Sequence, residues 1–177
     1  MKIFSKIILF VTLNSLASLV FADNENIELN KIDKVRDTEM NVYAGMFDFS
    51  DHKQKAVLVG LEHQSGDLFR DSFIGKLSPI TGGFLTENNA FYLYSGVQAE
   101  YDLGSLKITP SFAPGYYNEG NGKELGYPLE FKTEVQVSLE LFENTKFGMS
   151  YNHISNASLG TKNPGANSYT FNILKQF

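Results

Sequence analysis

From residue 40 to the end of the chain, apolar and polar positions alternate in segments of about ten residues, separated by turn-forming residues. The pattern predicts strands over 40–49, 55–64, 73–86, 90–101, 106–117, 129–141, 146–156 and 168–177. Successive side chains on a strand point to opposite faces. In the sixth segment Leu129, Phe131, Val135, Val137, Leu139 and Leu141 therefore share one face, and Glu130, Lys132, Glu134, Gln136, Ser138 and Glu140 the other. In the last, Tyr169, Phe171, Ile173 and Phe177 oppose Thr170, Asn172 and Gln176. The third segment, with Pro79, Gly82 and Gly83, fits the pattern least well. The expectation is an all-β chain whose even strand count matches the smallest bacterial outer-membrane barrel.

Alternation alone does not say which face points inward. A small soluble barrel buries its apolar face, whereas a membrane barrel turns that face to lipid and keeps its charges in the lumen. Two further features favour the membrane arrangement. The chain closes on Phe177 after an alternating aromatic and aliphatic strand, as the C-terminal strand of an outer-membrane protein does. The connections at 102–105 and 143–145 are short, whereas those at 118–128 and 157–167 are long. Short periplasmic turns and longer extracellular loops have this pattern, and both long loops then emerge on the cell surface. Residues 65–72 are rather long for a periplasmic turn. A soluble periplasmic ligand-binding barrel is the competing fold, and Phe177 and the lipid-facing parity count against it.

The N-terminus suggests export. Lys2 and Lys6 precede a mostly apolar stretch over residues 7–21, and Val20-Phe21-Ala22 precedes Asp23. That is the pattern of a secretory signal peptide cleaved after Ala22. The polar residues 23–39 are expected to be a periplasmic lead-in with little fixed structure, and residues 40–177 to be the barrel domain. After residue 22 no uncharged apolar run approaches the roughly 20 residues a membrane helix needs. The chain has 15 Lys and Arg against 20 Asp and Glu, and losing Lys2 and Lys6 makes its net charge of −5 more negative. That balance argues against nucleic acid as a partner. With 0 Cys there is neither a lipid-acylated cysteine nor a disulfide framework.

Candidate chemistry lies in residues 151–168, YNHISNASLGTKNPGANS. His153 and Ser155 are two apart on a predicted strand, so their side chains point the same way. Serine attacks only when a base takes its proton, and histidine suits that task near neutral pH. The two groups can share a proton only if their rotamers converge, and a lone His-x-Ser is a weak signal. Parity adds to it. Phe147, Met149 and Tyr151 share the face of His153 and Ser155, so the pair sits on the outer wall if the first two meet lipid. The topology puts it near the extracellular rim, where lipopolysaccharide fills the outer leaflet. A polar pair there is costly unless it is partnered or used. His52 and His63 have no ligand spacing around them, so no metal site is expected, and GNG at 120–122 lacks the strand–helix context of a phosphate cradle.

The block HISNASLG followed by KNPG, with LGYPLEFK upstream at 125–132, resembles the PagL-type lipid A 3-O-deacylases. The resemblance runs from about residue 108 to the C-terminus and more loosely upstream. It implies an eight-stranded outer-membrane barrel that hydrolyses the ester at the 3-position of lipid A and releases a hydroxylated fatty acid. It implies His153 as general base and Ser155 as nucleophile, with Asn156 and Asn163 as side-chain amides that could donate to the oxyanion. The implied partner is lipid A of lipopolysaccharide, no cofactor is called for, and whether protomers pair as a homodimer is left open. One position departs from the pattern: the family carries a Glu fourteen residues after the His, and Asn167 stands there in this chain. An amide can orient an imidazole but brings no charge. Glu124, or Glu119, on the preceding long loop is a candidate substitute acid. The alternative is a structural small barrel of the same family in which the chemistry is weakened or lost.

Overall fold

The computed structural model describes residues 36–51 and 54–177. The proposed signal peptide and most of the lead-in lie outside those residues. The first barrel strand is β1, Glu39–Phe47, and it pairs on one side with β2, Ala56–Gln64. Next come the short β3, Arg70–Ser72, and the long β4, Gly75–Thr86. The pair β5, Phe91–Ala99, and β6, Tyr101–Leu103, both lie against β7, Leu106–Asn118. β8, Leu129–Phe142, β9, Thr145–Ser155, and β10, Ala166–Gln176, complete the set. All pairings are antiparallel between neighbours in sequence, and β10 closes onto β1. Because β3 continues β2 and β6 continues β5, the ten segments form an eight-stranded, closed, up-and-down barrel.

Among the described residues closure pairs each of the eight long strands on both sides, and only the short β3 and β6, at the short-turn end, pair on one side. Lipid requires such closure because it cannot hydrogen-bond an open edge. The turns at 73–74, 104–105 and 143–144 share one end with both ends of the barrel chain, and the longer loops 48–55, 87–90, 119–128 and 156–165 lie at the other. The short-turn end is periplasmic and the long-loop end extracellular.

The stretch 65–72 is not a long turn. Ser65 N–H donates to Pro79 O at 2.9 Å and Phe69 N–H to Leu77 O at 2.8 Å, which keeps the chain beside β4 until β3 resumes regular pairing. The reversal itself is Phe73-Ile74. Pro79 has no N–H to offer the ladder, so the strand opposite it departs from regular pairing there. The lead-in also ends earlier than its composition suggests. Arg36 binds Glu100 and Gln64, and Thr38 Oγ1 accepts Gly66 N–H at 3.1 Å.

Burial follows the membrane arrangement. On β8 the apolar set is exposed, from Val137 at 38% to Leu141 at 59%, apart from the half-buried Phe131, while Glu130, Lys132, Gln136 and Ser138 are buried and Glu140, at the periplasmic end, is exposed. An eight-stranded barrel encloses just enough room for side chains, and polar and aromatic groups fill it. Toward the periplasm Lys146 meets Glu39 and Glu100, which also binds Arg36 and Lys107. Midway, Lys132 Nζ lies 3.2 Å from Glu62, 3.3 Å from Glu134 and 4.0 Å from the centre of the Tyr94 ring. Above these, Phe47, Phe84, Tyr92 and Tyr117 pack ring against ring.

Lys132 holds two buried carboxylates together. Lys132→Met keeps the volume but leaves Glu62 and Glu134 facing each other without a cation. The expected loss is about 3–5 kcal/mol, read as a lower midpoint for urea unfolding in lipid vesicles. An unchanged midpoint would show that the barrel does not depend on this cation.

Candidate active site

β9 rises to the extracellular rim and ends on Ser155. Its even positions Asn152 and Ile154 are buried in the lumen, whereas Phe147, Met149 and Tyr151 are exposed on the outer wall. His153 and Ser155 belong to the outward set and are half-buried. The neighbouring strand brings Asn167 opposite His153, and below it the outward residues Tyr169, Phe171 and Ile173. The pair therefore sits at the top of an apolar wall facing lipid.

Asn167 Oδ1 lies 2.8 Å from His153 Nδ1. An amide oxygen only accepts, so Nδ1 carries the proton and the lone pair is left on Nε2, the nitrogen a general base uses. Tyr151 O–H donates to the same oxygen at 2.9 Å. Asn167 Nδ2 donates to Ser50 Oγ at 3.4 Å, and its backbone N–H reaches Asp48 Oδ1 at 3.4 Å. Ser155 and His153 form no hydrogen bond with each other, and Ser155 makes its cross-strand pair with Phe131.

Asp48, Phe49 and Ser50 close the flank of this cluster. Phe49 N–H donates to Asn167 O at 3.0 Å, and the Phe49 ring lies against Tyr151 and Tyr169, with centroids at 6.3 and 5.5 Å. Asp48 is buried and ion-paired to Lys123 of loop 119–128. Neither Asp48 nor Ser50 stands out in the sequence: the alternation predicts strand to residue 49, whereas β1 ends at Phe47 and Asp48 turns with a φ of 48°.

The two asparagines after Ser155 do different things. Asn156 is fully buried, and its amide hydrogens go to Leu125 O at 2.8 Å and Lys162 O at 2.9 Å. With both committed, it does not serve as a side-chain oxyanion donor in this arrangement; it locks loop 156–165 to loop 119–128. Its even position puts it on the lumen parity of Asn152 and Ile154. Asn163 is exposed and accepts Asn156 N–H at 3.0 Å through its oxygen, which leaves its own amide hydrogens uncommitted among the described contacts. Just after the strand, Ala157 and Ser158 hold φ of 51° and 65°. Two non-glycine residues in this region cost roughly 1–3 kcal/mol each, and alanine and serine give no sequence warning of such a turn.

Glu124 does not reach His153. Its carboxylate pairs with Lys162 Nζ at 2.6 Å on the exposed loop surface, and Asn167 occupies the place a substitute acid would need. Among the described residues, no group of three or more His, Cys, Asp or Glu side chains gathers as a metal site.

Gly165 opens the space beside the imidazole. A Cβ there would lie 2.8 Å from His153 Cε1 and 3.2 Å from Nε2, and its φ of +61° is already strained for other residues. Gly165→Ala is expected to push the ring off its Asn167 anchor while leaving the barrel assembled. Displacements of about 1 Å can cost on the order of 10²-fold in rate. Turnover by a variant that still shows heat-modifiable migration checks it.

A closed meander with a lipid-facing apolar band and a polar filled lumen is an integral β-barrel of the bacterial outer membrane. Its fold is that of the crystal structure of the outer membrane enzyme PagL, with 19% identity, a TM-score of 0.59, and coverage of 78% of this chain and 99% of that one. A designed transmembrane barrel, TMB2.3, aligns with a TM-score of 0.54 and 9% identity, covering 83% of this chain and 98% of its own. The family model for lipid A 3-O-deacylase (PagL) matches residues 55–175, and the chain belongs to that family of outer-membrane hydrolases. A search of curated proteins finds no match.

Proposed function

We propose that this chain removes the 3-linked hydroxyacyl chain from lipid A, with Ser155 as nucleophile and His153 as base. Ser155 Oγ attacks the ester carbonyl as its proton passes to His153 Nε2. The collapsing intermediate expels the sugar alkoxide, which takes that proton and leaves as the 3-hydroxyl. Water, deprotonated by the same nitrogen, then cleaves the acyl-serine to free the hydroxy fatty acid and restore Ser155. The observation that carries this reading is the 2.8 Å contact from Asn167 Oδ1 to His153 Nδ1, which leaves Nε2 to act as base on the strand that also carries Ser155 on its lipid-facing side. A Ser–His hydrogen bond often tightens only when the substrate is in place. Asn163, whose amide hydrogens are uncommitted, is the proposed side-chain donor to the oxyanion.

Asn167 also favours a second reading, a family barrel in which activity is weakened or lost, because no carboxylate backs the imidazolium. Mass spectrometry of lipid A after expression in a heterologous Gram-negative host separates the two. Loss of one hydroxyacyl chain is expected. Unchanged lipid A, with the barrel shown to be folded in the outer membrane, would leave the structural reading in its place.

A further inference from the structure

Asn167 sets a problem that a carboxylate would not. A carboxylate presents two equivalent oxygens to an imidazole, whereas an amide has unlike ends, either of which could face Nδ1. With the oxygen inward, His153 carries its proton on Nδ1 and Nε2 is a base. With the amide nitrogen inward, Nδ1 must accept, the proton moves to Nε2, and no lone pair remains for the serine proton. The two orientations differ little at Ser50, whose hydroxyl can accept from the amide nitrogen or donate to the oxygen. They differ sharply at Tyr151.

Tyr151 lies on β9 two residues before His153 and is 51% exposed on the lipid-facing wall. Its O–H donates to Asn167 Oδ1 at 2.9 Å, filling the second lone pair of the oxygen that holds His153. If the amide turned over, the phenol oxygen would accept from Nδ2 and its own hydrogen would lose its acceptor beside an apolar surface. A polar hydrogen left unpaired in such a place is costly. Phe49, edge-on to Tyr151 and tilted against Tyr169, keeps the phenol ring in position.

From this geometry we propose that Tyr151 is a positioning residue that selects the amide orientation of Asn167 and, through it, the His153 tautomer able to act as base. The inference rests on the Ser155/His153 reading for its consequence in turnover, but its structural content stands apart from that reading. Tyr151 is the element that lets an amide fill a place where a carboxylate would need no such help. A tyrosine that only anchored the barrel at the membrane interface would have no effect on the tautomer.

The test is ¹⁵N NMR of ring-labelled histidine in the full barrel in detergent micelles, at a pH where the imidazole is neutral. The His153 signals are identified by their loss in His153→Gln. The wild-type protein is expected to show His153 protonated at Nδ1, and Tyr151→Phe to move the tautomer ratio about tenfold toward Nε2–H. Tyr151→Phe also lowers kcat by about tenfold with KM unchanged. In an Asn167→Asp background, where both acceptor atoms are oxygens, it leaves kcat within about twofold. A wild-type His153 protonated at Nε2 overturns the proposal without need of any variant. An unmoved tautomer in Tyr151→Phe also overturns it, as does an equal loss of kcat in both backgrounds. The expected tautomer shift in a protein that cleaves no lipid A would sustain the positioning role and overturn the hydrolase reading alone.

Discussion

Ser155→Ala and His153→Ala are each expected to abolish release of hydroxy fatty acid from lipopolysaccharide by the purified barrel. The loss is on the order of 10⁶ in turnover, the scale on which serine hydrolases fail when either partner is removed. The double variant should fall no further, because the two side chains act as one unit and their effects do not add. The barrel itself should be indifferent. Both side chains lie on the outer wall at the end of β9, away from the ion pairs and rings that fill the lumen. Fatty-acid release measured alongside heat-modifiable migration checks the point. A Ser155→Ala protein that turns over at the wild-type rate would remove the nucleophile from the scheme, and the same result for His153→Ala would remove the base.

Asn167→Asp is expected to raise turnover. Aspartate is isosteric with asparagine, so the 2.8 Å contact to His153 Nδ1 is kept while a negative charge is placed beside the imidazolium that forms as Ser155 attacks. In serine proteases the exchange in the opposite direction costs about 10⁴, part of it through the wrong tautomer. In this chain Tyr151 already supports the useful tautomer, so only the charge contribution remains, and a gain on the order of 10² is expected. Asn167→Leu removes the acceptor altogether and should lower turnover by on the order of 10⁴. Initial rates of the three proteins on the same lipopolysaccharide preparation decide it. If Asn167→Leu matches wild type, Asn167 does not orient the base.

Most of the barrel was legible because membrane strands record it twice, once in the alternation and once in the turns. Leu129 through Leu141 and Phe147 through Ser155 carry their own inside and outside, and the structure keeps both faces as the parity assigns them except at Glu140, which is exposed where the β8–β9 register shifts. What did not show was whatever depends on a missing hydrogen or on a loop. Pro79 disturbs the strand opposite it, so residues 65–69 looked like a turn although they run beside β4. The contacts of Asp48, Phe49 and Ser50 with Asn167 join segments more than a hundred residues apart, and no local pattern announces them. The inward turn of Asn156 was legible in principle. Its parity matches Asn152 and Ile154, and resemblance to an active-site block concealed what the alternation already said. Glu124 is an acid close in sequence to the site, but its carboxylate pairs with Lys162 on the adjoining loop instead of the imidazole.

That the His153–Asn167 cluster opens sideways rather than into the lumen alters how a substrate would arrive. An amphiphile anchored in the leaflet would not need to be lifted out; it would approach by lateral diffusion, its tails sliding over the exposed Met149 and Phe171 as its sugar stays at the rim. Encounter then depends on the mole fraction of substrate in the film, not on its amount per volume. Diluting lipopolysaccharide with inert detergent at constant total concentration should slow the reaction, whereas diluting the whole suspension with buffer should leave the rate per barrel nearly unchanged.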